Sequence, residues 1–137
     1  MTFLKSRLGV FLFVLMCNIS LQASYIKWYF EYEQARLVAL KEKKDLLVLL
    51  VEPNINTTKA ILQDIFINQT YIKNIEQKYI AVLIRKNQKS SYPIELLYTL
   101  EYPTLFLLDN HELFLCKSLS GEFGVVEVEE YLNSCYR

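Results

Sequence analysis

Beyond the N-terminal segment, three runs of consecutive apolar residues dominate the hydrophobic pattern of this chain: residues 46–51, 79–84 and 105–108. None of them alternates with polar residues, which is typical of strands covered on both faces of a sheet. The polar residues 109–112 follow the third run and predict a hairpin turn. We therefore expect residues 113–119 to return as an antiparallel strand.

Helices are predicted where apolar residues recur at spacings of three and four. The first such pattern carries an aromatic stripe that we expect to pack against the sheet: Tyr25, Trp28, Tyr32, Ala35 and Ala39. Further helices are predicted for residues 57–68, 71–77, 93–100 and after Val125. The order of elements predicts an α/β fold in which a four-stranded mixed sheet lies between helices.

Length and composition are those of one small domain with a packed core. The chain has 137 residues, of which 53% are hydrophobic and 22% charged, so disorder is not expected. The formal net charge is zero. Nucleic-acid binding usually requires a basic patch, so it is not predicted.

The N-terminus has the layout of a secretory signal peptide. Lys5 and Arg7 precede an apolar region over residues 8–19, and small or polar residues continue to Ala23. We predict a signal peptide over residues 1–23, cleavage after Ala23, and export of a domain over residues 24–137 to a bacterial periplasm. The alternative is an uncleaved membrane anchor through residues 8–19, although spanning takes about 20 apolar residues.

Cys116 and Cys135 remain in the predicted mature domain. In an exported protein these two cysteines can form a disulfide. We favour two unpaired thiols over this disulfide, because Cys135 falls on the apolar side of the last helix. His111, the only histidine, lies in the predicted turn without ligand-spaced neighbours. It is therefore interpreted as a solvent-exposed residue, and no metal site is predicted.

The order of elements resembles the thioredoxin fold over residues 25–137. Residues 33–35 and 39–50 look like the start of exported thioredoxin-like domains. Residues 102–109, beginning Tyr102-Pro103-Thr104, look like the family's cis-proline loop and its following strand. Residues 119–121 resemble the end of the family's hairpin. The resemblance implies a three-layer α/β/α sandwich and no small-molecule cofactor.

The same resemblance locates the position of the redox motif. The family places C-x-x-C at the start of the helix after the first central strand, where a lowered pKa makes one thiol nucleophilic. Lys59 matches the lysine that commonly follows the second cysteine. Ile55 and Thr58 then stand at the two cysteine positions, and Leu49 stands where many relatives keep a buried acid. Isoleucine has no redox chemistry, and the threonine hydroxyl needs a strong base to become a nucleophile. The resemblance therefore implies a non-catalytic protein.

The degenerate redox loop, residues 55–59, keeps polar side chains at a helix N-terminus. Either Asn56 or Thr57 is predicted to cap this helix. Alternatively, backbone N–H groups at this helix N-terminus, beside Asn54, Asn56, Thr57 and Thr58, hold an anion or a peptide carbonyl. The capping interpretation is the simpler of the two.

The predicted cis-proline loop suggests a peptide-binding site. In the family, backbone beside the cis-proline pairs with an extended substrate. Tyr102 and Thr104, on either side of Pro103, would flank such a groove and bind peptide by strand addition. The alternative is that Pro103 serves the fold alone.

These observations predict an exported thioredoxin-fold protein that has lost dithiol–disulfide chemistry and acts as a protein-binding, peptide-binding or accessory module. Its expected partner is an exported protein or peptide, and membrane contact is expected only through an uncleaved N-terminal segment. Two alternatives remain open. One is a thiol–disulfide oxidoreductase that uses Cys116 and Cys135. The other is a structural subunit of an envelope assembly.

Overall fold

A computed structural model of the chain describes residues 25–67 and 69–135. The predicted signal peptide, residues 1–23, lies outside the described residues. Within them, no helix has the length and apolar character needed to cross a membrane. The elements in chain order are β1 (Trp28–Tyr29), α1 (Tyr32–Glu42), β2 (Asp45–Val51), α2 (Ile55–Asp64), α3 (Gln69–Lys78), β3 (Tyr79–Arg85), β4 (Thr104–Leu108), β5 (Leu119–Ser120) and α4 (Val125–Ser134).

The strands form one mixed sheet in the order β1-β3-β2-β4-β5. β3 runs parallel to both β1 and β2, whereas β4 is antiparallel to β2 and β5. The predicted mixed α/β/α fold is confirmed. The sheet has five strands rather than four, because Trp28 and Tyr29 pair with Ala81 and Val82.

Alternate residues of the central strands point into two separate cores, which explains why these strands are apolar at every position. On one face, α1 covers the side chains of Leu46, Val48 and Leu50. On the other face, α2, α3 and α4 cover Leu47 and Leu49. The sheet is therefore the middle of three layers.

The first helix begins later than the aromatic spacing predicted. Tyr32 and Ala35 are buried on α1 as expected, but Trp28 belongs to β1. The Trp28 ring contacts Phe66 edge-on, with ring centroids 5.2 Å apart. The prediction failed here because aromatic residues suit a half-buried strand as well as a helix face.

Two elements predicted in the second half of the chain are shorter in the structure. The helix predicted for residues 93–100 is a single turn, in which the Leu97 N–H donates to the Pro93 carbonyl at 2.9 Å. The strand predicted for residues 113–119 is reduced to one bridge between Leu108 and Phe114 and to β5. Between these two pairings the chain leaves the ladder, where Cys116 bonds to Cys135.

Candidate functional site at the carboxyl end of β2

The register of the sheet brings two loops to the same end of the molecule. Leu50, near the end of β2, lies opposite Thr104, the first residue of β4. Since these strands are antiparallel, the loop that leaves β2 toward α2 and the loop that enters β4 through Pro103 lie at the same end of the sheet. Crevices at the carboxyl ends of strands are where open α/β sheets commonly bind ligands.

Asn54 caps the start of α2. Its backbone is extended (φ −111°, ψ 110°), and its side-chain oxygen accepts hydrogen bonds from the Asn56 N–H at 3.0 Å and the Thr57 N–H at 3.2 Å. The prediction of a cap at Asn56 or Thr57 is therefore wrong by two or three residues, because the helix begins at Ile55. Two backbone donors that an anion could use are already occupied.

The positions that the resemblance assigned to the redox motif lie in the first turns of α2. Ile55 is 71% exposed, whereas Thr58 is only 9% exposed. The Thr58 hydroxyl is buried and has no hydrogen-bond partner among the described residues. Leu49 is fully buried within β2. Lys59 follows Thr58 and is exposed. The start of α2 therefore exposes an apolar side chain and an ammonium group, encloses a hydroxyl and contains no thiol.

The loop before β4 contains a cis peptide bond between Tyr102 and Pro103. The Pro103 carbonyl accepts a hydrogen bond from the Gly121 N–H at 3.0 Å. In residues 25–67 and 69–135, no hydrogen bond uses the Tyr102 N–H or C=O. The Lys86 ammonium lies 5.2 Å from the centre of the Tyr102 ring. Tyr102 therefore has a backbone N–H and C=O without hydrogen-bond partners among the described residues, and the Lys86 ammonium lies over its ring.

The environment of Tyr102 opposes ionisation of its hydroxyl. Burial raises the pKa of Tyr102, and the neighbouring Tyr92 and Glu52 raise it further. A neutral phenol can both donate and accept a hydrogen bond. Glu52 follows β2 and Tyr102 precedes β4. The effect of Glu52 on the pKa of Tyr102 therefore agrees with their position at the same end of the sheet.

Thr104 is the buried first residue of β4 and not part of the loop surface. It is fully buried, and its hydroxyl donates to the Glu101 carbonyl at 2.6 Å. It also lies 2.9 Å from the Thr99 hydroxyl. These bonds tie β4 to the loop that contains Tyr102, and the Thr104 side chain is not exposed.

Cys116 and Cys135 are joined by a disulfide, with their Cα atoms 5.6 Å apart. The preference for two unpaired thiols is therefore wrong, and the disulfide alternative is the one the structure shows. The Leu115 N–H donates to the Leu107 carbonyl at 2.9 Å, which holds this segment beside β4 and near the end of α4. The disulfide joins the residue that follows α4 to the segment before β5, whereas Pro103 contacts Gly121, which precedes α4.

His111 lies in an exposed turn, where its backbone N–H donates to the Asp109 carboxylate at 2.8 Å. In the part of the chain that the structure describes, no three His, Cys, Asp or Glu residues cluster so as to hold a metal ion.

The sequence did not reveal a groove on the flank of α2, between this helix and the end of β3. Phe30, Leu83 and Arg85 line it together with Ile55 and Lys59, and its volume is about 400 Å³. Phe30 follows β1 and Arg85 ends β3, so these residues meet only through the pairing of β1 with β3. That pairing involves a two-residue strand, which leaves no recognisable periodicity in the sequence.

No protein-family model matches the chain, and no curated protein matches it. Solved structures similar to it include one described as DsbH oxidoreductase, with 14% identity, a TM-score of 0.62, and coverage of 86% of this chain and 92% of that one. The solution structure of a thioredoxin from Thermus thermophilus gives 11% identity, a TM-score of 0.61, and coverage of 82% and 87%. The chain therefore has a thioredoxin-like fold.

Proposed function

We propose that this chain is an exported thioredoxin-fold protein that binds extended peptide segments and performs no dithiol–disulfide exchange. The observation that carries the proposal is the Tyr102 backbone, whose N–H and C=O have no partner among the described residues. These groups lie at the same end of the sheet as the start of α2, where no cysteine is present.

Strand addition explains why a free backbone would be kept at this place. An extended peptide supplies one carbonyl and one N–H to each such position, and affinity then comes from main-chain hydrogen bonds. The Pro103 carbonyl is already bonded to Gly121, so Tyr102 is the residue of the cis-proline pair left to make them.

A neighbouring groove offers room for a peptide side chain. Tyr98, Leu100 and Tyr102 line a cavity of about 260 Å³, and Tyr98 and Leu100 are 67% and 82% exposed. Exposed apolar side chains that line a depression are typical of protein–protein contact sites. We therefore expect the bound peptide to place an apolar residue there.

The test uses ligands as well as variants. An extended peptide with apolar residues at alternate positions is compared with the same peptide methylated on alternate backbone nitrogens, by fluorescence anisotropy. Methylation removes the donors needed for strand addition, so affinity is expected to fall about tenfold or more. Tyr102→Ala is expected to weaken binding, whereas Tyr25→Ala, at another exposed tyrosine, is not. Equal affinity for both peptides would exclude strand addition.

The export part of the proposal has its own measurement. Expression of the full chain in a bacterium, followed by fractionation and intact-mass analysis, is expected to give a periplasmic protein that begins at Ser24. A product that retains residues 1–23 in the membrane fraction would support the anchor alternative.

A second candidate function is thiol–disulfide exchange through Cys116 and Cys135. The disulfide between them favours it, and one of the similar structures is described as an oxidoreductase. Exchange requires attack on one sulfur and release of the other as a thiolate. Cys116 is half-buried at the surface, but Cys135 is only 6% exposed within the apolar core, where release of a thiolate is disfavoured. We therefore interpret this disulfide as a structural cross-link. Loss of insulin reduction on replacing both cysteines by serine would support the exchange function instead.

A further inference from the structure

The groove on the flank of α2 is separate from the cavity beside Tyr102. β3 and β4 lie on opposite sides of β2 in the sheet. The groove contains Leu83 and Arg85 of β3, whereas Pro103 precedes β4. The groove and the cavity beside Tyr102 share no lining residue.

The groove combines an apolar wall with two cations. Phe30, Leu62 and Leu83 contribute the wall, Lys59 and Arg85 contribute the charges, and no carboxylate lines the space. Neither cation forms an ion pair with any residue in the described ranges. Two unpaired cations beside a concave apolar surface are complementary to a molecule with an anionic head and an apolar tail.

A buried polar group of the same groove also lacks a partner. Thr58 lines the groove and is only 9% exposed. Its hydroxyl makes no hydrogen bond within the described residues. Buried polar atoms almost always have partners, so each exception requires an explanation. Rotation about χ1 between the two rotamers that threonine uses in helices would bring this buried hydroxyl to a ligand head group.

The helix N-terminus itself is not the anion-binding element. Asn54 already accepts the N–H groups of Asn56 and Thr57, and the Thr58 N–H donates to the Asn54 carbonyl. Recognition of an anion would therefore depend on the Lys59 and Arg85 side chains.

We propose that this groove binds a small amphiphile, an alkyl chain with one carboxylate. The carboxylate pairs with Lys59 and Arg85 and accepts a hydrogen bond from Thr58, while the chain lies along Phe30, Leu62 and Leu83. The volume of about 400 Å³ lies within the range of roughly 300–1,000 Å³ for small-molecule pockets. We take the occupant to be a free small molecule, because the two unpaired cations and the apolar wall together match an amphiphile.

Isothermal titration calorimetry with three probes tests the ligand chemistry, each below the concentration at which it forms micelles. Decanoate has both features, decanol has only the chain, and acetate has only the charge. Decanoate is expected to bind about tenfold or more tightly than decanol, and acetate not measurably. Because the head-group contact is ionic, added salt should weaken decanoate binding and leave decanol binding unchanged. Absence of decanoate binding, or equal affinity for decanoate and decanol, would overturn the proposal.

Paired charge variants test the residues. Lys59→Gln/Arg85→Gln is expected to reduce decanoate affinity to that of decanol, and the matched Lys41→Gln/Lys73→Gln variant, at exposed cations of α1 and α3, is expected to bind as the unmodified protein does. Thr58→Val should weaken binding and Thr58→Ser should restore it. Tyr102→Ala, which affects the peptide site, should leave decanoate binding unchanged. If both charge variants bind alike, Lys59 and Arg85 do not form the site.

Discussion

Ile55 and Thr58 lie one helical turn apart at the start of α2, and the first side chain is 71% exposed while the second is 9% exposed. Residues three apart on a helix have Cβ atoms roughly 5–6 Å apart. A disulfide needs about 3.5–4.5 Å between Cβ atoms, which a modest adjustment of the first turn can provide. The backbone spacing is thus close to that of a disulfide at a place where the sequence supplies no thiol.

The Ile55→Cys/Thr58→Cys variant is accordingly expected to form a second intramolecular disulfide. The first turn of α2 is held by Asn54, and the added thiols are neighbours on one face. Intact-mass analysis after mild oxidation and alkylation should show no alkylated cysteine among the four in the mature variant. The Ile55→Cys single variant, in which the native pair leaves one odd thiol, should be alkylated once. Two alkylations of the double variant would show that the spacing is unsuitable.

The cap at Asn54 should contribute measurably to stability. Asn54→Ala removes the acceptor for two backbone donors, so we expect the free energy of unfolding to fall by about 1 kcal/mol. Asn56→Ala is the matched control, because Asn56 is exposed and contributes only its backbone N–H. Urea unfolding of both variants measures the difference. Equal effects would place the cap elsewhere.

The disulfide should contribute more stability than any single cap. Its cysteines are separated by 19 residues, and closing a loop of that length reduces the entropy of the unfolded chain by an amount worth about 3 kcal/mol at 25 °C. Cys116→Ser/Cys135→Ser should therefore lower the free energy of unfolding by about this amount while the circular dichroism of the folded protein is retained. Adding dithiothreitol should destabilise the unmodified protein and leave the double variant unchanged. A double variant as stable as the unmodified protein would argue against the cross-link.

Asp45 provides a dependence of stability on pH. Burial raises the pKa of Asp45, and the negative charge of Asp109 raises it further. The folded protein therefore holds this proton more tightly than the unfolded chain does. The stability that this difference provides is complete below the ordinary pKa of about 3.9 and is lost as pH rises through the elevated value.

Asp45→Asn should consequently raise the melting temperature at pH 7 and have little effect at pH 3, where both forms of the side chain are uncharged. Differential scanning calorimetry at the two pH values measures this. A larger gain at pH 3 than at pH 7 would show that the sign of the pKa change is wrong.

The sheet could be predicted where burial alone decides the pattern. β2, β3 and β4 are apolar at nearly every position because both faces of the sheet are covered, and that pattern leaves little choice of structure. β1 was missed because Trp28 and Tyr29 form only two residues of strand. The returning strand was overestimated because the disulfide at Cys116, a contact with a distant part of the chain, is not encoded in local periodicity.

The candidate site was predicted in part for the same reason. Ile55, Thr58 and Pro103 could be located because their spacing within the chain resembles that of a known fold. Burial of Thr104 depends on hydrogen bonds within its loop. The flanking groove depends on Phe30 and Arg85, which are distant in sequence and meet only in the folded sheet.

The reduction of insulin by dithiothreitol, followed by turbidity, tests most directly whether this scaffold lacks dithiol–disulfide chemistry. We expect the unmodified protein and its Cys116→Ser/Cys135→Ser variant to leave the rate at that of dithiothreitol alone, and Ile55→Cys/Thr58→Cys to increase it. Acceleration by the unmodified protein would contradict the proposed loss of redox activity. If that acceleration disappeared with Cys116 and Cys135, the second disulfide would be its source.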